Sequence, residues 1–197
     1  DGGGPALGIM MDLNFNYKTD GYLRIAKAVE PVGMTWLEMD THDPASLALI
    51  RRSTSTPIAS CETLCERRDF KPYFEQYAMD VPIIDVIWNG FLESFKIAAM
   101  ADVYEMNVAP HNFYGHLSSV ISAHFCAAVP NMRIMETDVD AVPGKAVGPE
   151  GSAGARVLGE SPAHGFGGFV HINGSKLAYV MRVSSADLTQ ASVPESA

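Results

Sequence analysis

Basic clusters, membrane-length apolar runs and paired cysteines are scarce in this chain, and each scarcity removes a class of function. Fourteen Lys and Arg face 23 Asp and Glu, the net charge is −9, and the basic residues form no run. Phosphate backbones and anionic lipid surfaces call for the opposite balance, so neither nucleic acid nor membrane is expected as a partner. No apolar stretch approaches the roughly 18 residues of a membrane span. The first residues also lack the basic-then-apolar order of a secretion signal, so a cytoplasmic protein is expected. Cys61, Cys65 and Cys126 are the whole cysteine content, an odd number that suggests reduced thiols rather than a disulfide framework. Cys61 and Cys65 have no second close pair with which to build a zinc site. An initiating Met is missing too: the chain opens on "DGGG", which suggests a piece of a longer protein.

The composition that remains, 47% hydrophobic and 19% charged over 197 residues, suits one soluble domain of moderate size. Along it a unit repeats. A short apolar run ends in a polar residue, and a segment with helical spacing leads to the next run. The strand candidates are "ALGIMMDLN", "MTWLEMD", "TPIASCE", "PIIDVIW", "MNVAPHN" and "MRIMETD". Between them, "DGYLRIAKAVEPVG" places Leu23, Ile25, Ala26 and Val29 near one face before Pro31 and Gly33 stop it; "PASLALIRRST" and "ESFKIAAMADVYE" read alike. Alternation of this kind predicts an α/β fold of parallel strands, with strand interiors apolar because both faces are buried.

The polar residues fall in phase. One acidic or basic residue near the end of each run recurs in register: Asp12, Glu38, Glu62, Asp85, His111 and Glu136, with spacings of 26, 24, 23, 26 and 25. One such group at the carboxyl end of each strand would gather at the single mouth where parallel barrels keep their active sites. Alone, each could be a helix cap; six in phase are harder to dismiss. Asp12, Glu38 and Glu62 make an all-oxygen set that suits a hard divalent cation such as Mg²⁺. Asn14, two residues beyond Asp12, points to the same side and would bind substrate or a metal-bound water. Asp85 and His111 read as a general base with the carboxylate that orients it. Glu136 closes the series as a carboxyl that would donate to substrate if neighbouring acids raised its pKa. Trp36 reads as core, Trp88 and Asn89 as lining of the mouth, and the strand methionines as packing.

The order Asp-x-Asn, Glu, Glu, Asp, His, Glu, carried by "MDLNFNY", "WLEMD", "IASCE", "IIDVIWNG" and "APHNFYGHLSS", resembles the mandelate racemase subgroup of the enolase superfamily over Leu7–Val142, about 70% of the chain. The resemblance implies Mg²⁺ ligation by Asp12, Glu38 and Glu62, and a His111–Asp85 dyad that removes the proton α to a substrate carboxylate. Pairing of a His or Lys base with Mg²⁺ is already established for that superfamily rather than deduced from these spacings. It further implies an acid-sugar dehydratase, or a racemase or cycloisomerase through the same enediolate, with Asn112 beside the base as a substrate-binding residue, Gly115 easing the following turn and His116 starting a helix. A homo-oligomer is expected of a full-length member.

Departures from the family pattern define the rest of the expectation. A capping domain and two leading βα units are absent, as is the strand ending in Lys-x-Lys; Lys18 is no substitute. What remains is a partial TIM-type (β/α)₈ barrel of about six βα units at 1–142, whose six strands would leave two parallel edges open. Such a chain could equally be a non-catalytic fragment. Residues 143–197 turn Gly-, Ala- and Ser-rich, the composition expected of an out-of-frame or chimeric tail, with a hairpin expected in "FVHINGSKLAYVMRV" around Asn173–Gly174 and a disordered end.

Overall fold

The computed structural model describes residues 8–138, 166–170 and 178–182. All six expected strands form, separated by helices: β1 (Gly8–Asp12), α1 (Thr19–Val29), β2 (Trp36–Glu38), α2 (Pro44–Arg52), β3 (Ile58–Ser60), α3 (Glu66–Glu75), β4 (Val81–Asp85), α4 (Val86–Asn89), α5 (Phe91–Val103), β5 (Ala109–His111), α6 (His116–Ala128) and β6 (Met135–Asp138). Among the described residues no helix is long and apolar enough to cross a membrane.

Local chemistry sets the helix ends. Asp43 caps α2, its carboxylate accepting from the amides of Ala45 at 3.2 Å and Ser46 at 3.0 Å, while Pro44 sits where a missing N–H does no harm. After Val29 the chain tightens into a 3₁₀ turn around Pro31, and Gly33 at φ 66° supplies the left-handed stop.

Strands β1 to β5 pair in order, each parallel to the next. Asp12 lies opposite Glu38, and Asp85 opposite His111, so the polar strand ends share one end of the sheet. Beyond β5, Val108 bridges Met132 in parallel fashion, and the Val108 carbonyl accepts from the Arg133 amide at 2.9 Å. That brings β6 alongside β5.

Open edges were expected at both sides of the six strands, and the structure differs. The outer edge of β1 pairs in parallel with β8 (Ala178–Arg182), which pairs antiparallel with β7 (Phe166–Val170), which pairs antiparallel with β6. Two strands of the tail thus occupy the gap between β6 and β1, where unpaired N–H and C=O groups would otherwise face solvent. The β7–β8 register is centred between Asn173 and Gly174, as the expected hairpin requires, although the turn itself lies outside the described residues.

The sheet separates two apolar layers. Met10, Trp36, Ala59, Val81, Ile83, Ala109 and Ile134 form the inner one. Tyr22, Leu47, Phe70, Phe74, Ile97 and Phe125 anchor the larger layer between strands and helices. Each such side chain stabilises the fold by about 1.5–3 kcal/mol relative to exposure. Trp36 is fully buried in the inner layer, as its strand position predicts. All three cysteines are free thiols.

Candidate active site at the carboxyl ends of the strands

The interior residue and the strand-end group are two positions apart in five strands: Met10 and Asp12, Trp36 and Glu38, Ile83 and Asp85, Ala109 and His111, Ile134 and Glu136. A period of two keeps both on one face, so the barrel's interior layer continues upward into a polar layer. Asp12, Glu38, Glu62, Asp85 and Glu136 are all buried.

His111 sits at the centre of the contacts. Its Nδ1 lies 2.8 Å from Asp85 Oδ2, and since a carboxylate only accepts, Nδ1 is the donor. Nε2 therefore faces the other acids, 3.5 Å from Glu62 Oε2 and 3.9 Å from Glu136 Oε2. Asp85, 0% exposed, is held from every side. Its Oδ1 accepts from the amides of Ile87 and Trp88, both at 2.8 Å, and its Oδ2 also accepts from the Tyr114 hydroxyl. Burial opposes ionisation of Asp85, but the bonds from His111, Tyr114 and the Trp88 amide hold its carboxyl below the usual range. For His111, burial pulls downward; the Asp85 bond and the charges of Glu136 and Glu62 outweigh it and push the imidazole up to about 9.

The candidate ligands crowd one another. Burial first, then the charges of Asp12, Glu62, Glu136 and Asp40, raise Glu38 well above the ordinary carboxylate range. Burial likewise lifts Glu62 to about 7, with His111 working against it. Glu62 Oε2 is buried without a hydrogen bond; its approach to His111 is a charge contact lacking hydrogen-bond alignment. Asn14 Nδ2 reaches Glu62 Oε1 at 3.5 Å, and Trp36 Nε1 reaches Glu38 Oε2 at 3.3 Å. Among the described residues no three acidic, His or Cys side chains already converge as an ion cage. The donor chemistry nevertheless fits a hard cation: three buried carboxylates on adjacent strands, two of them hard to ionise without positive charge, and one with an unfilled acceptor oxygen.

Other predicted residues are placed differently. Asn112, fully buried, accepts from Ser118 Oγ at 2.9 Å and donates to Ser119 Oγ and the Glu136 carbonyl, both at 3.0 Å, which commits its side chain to the protein. Its backbone N–H donates to Glu136 Oε2 at 2.7 Å. Asn89 accepts from the Glu66 amide and donates to the Leu64 and Asp85 carbonyls, which ties α4 to the loop after β3. Trp88 is 54% exposed. Gly115 stands at φ −75°, a value open to any residue, so the turn needs no glycine there. Sequence reasoning missed Tyr114 and Asp40. Asp40 closes the run "MTWLEMD" but lies two residues past Glu38, and Tyr114 follows β5 by three residues, so a pattern that takes one polar group per unit passes over both.

A polar cluster with an imidazole–carboxylate pair among buried acids thus lies at the carboxyl ends of the parallel strands, the end at which parallel-barrel enzymes keep their active sites. The family model described as "Enolase C-terminal domain-like" matches residues 2–169, and the chain belongs to that family. D-xylonate dehydratase of Haloferax volcanii is 30% identical over 138 residues, covering 68% of this chain and 33% of that enzyme. A solved structure of a candidate L-alanine-DL-glutamate epimerase from Burkholderia xenovorans strain LB400, bound to magnesium and fumarate, is 52% identical with a TM-score of 0.69, covering 71% of this chain and 35% of that one. A mandelate racemase/muconate lactonizing enzyme-like protein from Rubrobacter xylanophilus is 36% identical with a TM-score of 0.64, covering 67% and 34%. The chain spans about a third of the length of these relatives.

Proposed function

We propose that this chain is the catalytic portion of an enzyme that removes the proton α to the carboxylate of a sugar acid and then eliminates the β-hydroxyl as water. The observation that carries the reading is the His111–Asp85 pair at 2.8 Å, with Nε2 turned toward the acids of the mouth. Asp85 fixes the tautomer that leaves Nε2 as the working nitrogen. Nε2 takes the α-proton, the electron pair delocalises onto the substrate carboxylate, and the same Nε2–H then protonates the departing β-hydroxyl. Asp12, Glu38 and Glu62 would hold Mg²⁺, which when bound supplies positive charge opposite the charge developing on the substrate carboxylate. Unbalanced acids hold His111 protonated, as its value of about 9 indicates, so a neutral base at pH 7 requires their charge to be offset.

Glu136, Asn14 and half-exposed Trp88 are assigned to the substrate side, and Asn112 braces Glu136. Dehydration is favoured by the relative named D-xylonate dehydratase. Proton transfer without elimination is the second reading, favoured by the relative described as an epimerase. NMR of the product separates a keto acid from an epimer. In the full-length protein, His111→Asn is expected to abolish solvent-deuterium exchange at the α-carbon; undiminished exchange would remove His111 from the base role. Assembly as a homo-oligomer belongs to the same proposal and is checked by sedimentation.

A further inference from the structure

Glu62 breaks the spacing that delivers the other five strand-end groups. The interior residue of its strand is Ala59, three positions earlier, so an extended chain would aim Glu62 away from the mouth. The residue between corrects this: Cys61 takes φ 91°, a left-handed value rare for a non-glycine residue, and drops its own side chain into the helix-facing core. Asp40 holds that turn. Its Oδ1 accepts from the Cys61 amide at 2.8 Å and from Ser60 Oγ at 3.1 Å, and the residue is only 3% exposed. The backbone of Asp40 reaches the other way, donating to the Asn14 carbonyl at 3.2 Å and accepting from Tyr22 Oη at 3.2 Å. Asn14 and Glu62 then meet across the gap at 3.5 Å.

We propose that Asp40 is a positioning residue that latches the Cys61 turn and thereby aims Glu62 at His111. Its functional consequence rests on the reading of Glu62 as a Mg²⁺ ligand; the latch itself does not. Two measurements on the full-length protein keep the two apart: amide hydrogen exchange at Cys61 without metal, and calorimetric titration with Mg²⁺.

Asp40→Ala is expected to speed exchange at the Cys61 amide at least about tenfold and to weaken Mg²⁺ binding by about 10- to 100-fold, the range for supports of metal ligands. Asp40→Asn keeps the acceptor oxygen and should stay close to wild type. Adding Cys61→Gly to Asp40→Ala should restore most of the affinity, because glycine adopts φ 91° without being held. Unchanged Cys61 exchange in Asp40→Ala would overturn the latch. So would unchanged Mg²⁺ affinity, or a double variant that binds no better than the single one. If neither Asp40→Ala nor the double variant folds, Asp40 is structural and the proposal fails. Absence of Mg²⁺ binding in the wild type would instead sink the metal reading, leaving the exchange data to decide the latch.

Discussion

Asp85→Asn tests the dyad most sharply, because the substitution changes charge while nearly preserving shape. The new amide oxygen can still accept from the Ile87 and Trp88 amides, so the start of α4 should survive. The amide nitrogen would stand where Oδ2 now accepts from His111 and Tyr114. The Tyr114 hydroxyl can rotate to accept, whereas His111 must move its proton to Nε2, the nitrogen the proposed reaction needs bare. A fall in α-proton exchange of about 10²- to 10⁴-fold is expected, the scale of a general base. Stability should fall as well, since raising an imidazole from 6.5 to about 9 represents roughly 3 kcal/mol shared among Asp85, Glu136 and Glu62. The pH dependence has a definite sign. A His whose folded pKa is raised contributes stability that is complete below its unfolded value and lost as pH rises through about 9. Asp85 stays ionised over that range, its carboxyl being held low. Urea titrations in EDTA should therefore show a wild-type advantage of about 2 kcal/mol at pH 6 that shrinks by pH 10. A gap that is flat from pH 6 to 10, or exchange retained above a tenth of wild type, would refute the dyad as described.

Two further outcomes follow from the same geometry. Mg²⁺ at 100 times its Kd should stabilise the fold by about 2.7 kcal/mol in a thermal melt, and Glu62→Gln should remove most of that gain; equal stabilisation of both proteins would exclude Glu62 as a ligand. Tyr114→Phe removes one donor to Asp85 and should lower stability by about 1 kcal/mol. Because a depressed carboxyl contributes stability that disappears as pH falls through its folded pKa, the same variant should begin acid unfolding at a higher pH, which circular dichroism would register.

Much of this arrangement was legible in the sequence because parallel strands use a strict code. A period of two places Asp12 with Met10 and His111 with Ala109, and a recurrence of about 25 residues stacks one such pair per βα unit. The closing strands were harder to place. "FVHINGSKLAYVMRV" betrays a hairpin through Asn173–Gly174, yet its sequence carries no sign that β8 runs parallel to β1 while β7 does not, since pairing partners distant in sequence leave no local trace.

Glu62 shows the deeper limit. Its distance from Glu38 fits the series, so it was found; that its strand is out of step by one residue went unread, because spacing counts residues and not backbone dihedrals. Repairing the step takes a left-handed Cys61 that costs about 1–3 kcal/mol and persists only where neighbours over-determine it. The bonds from Ser60 and Cys61 to Asp40 supply that over-determination. A carboxylate that looks like one more acid after "WLEM" is thus the group through which strain at β3 becomes placement at the mouth.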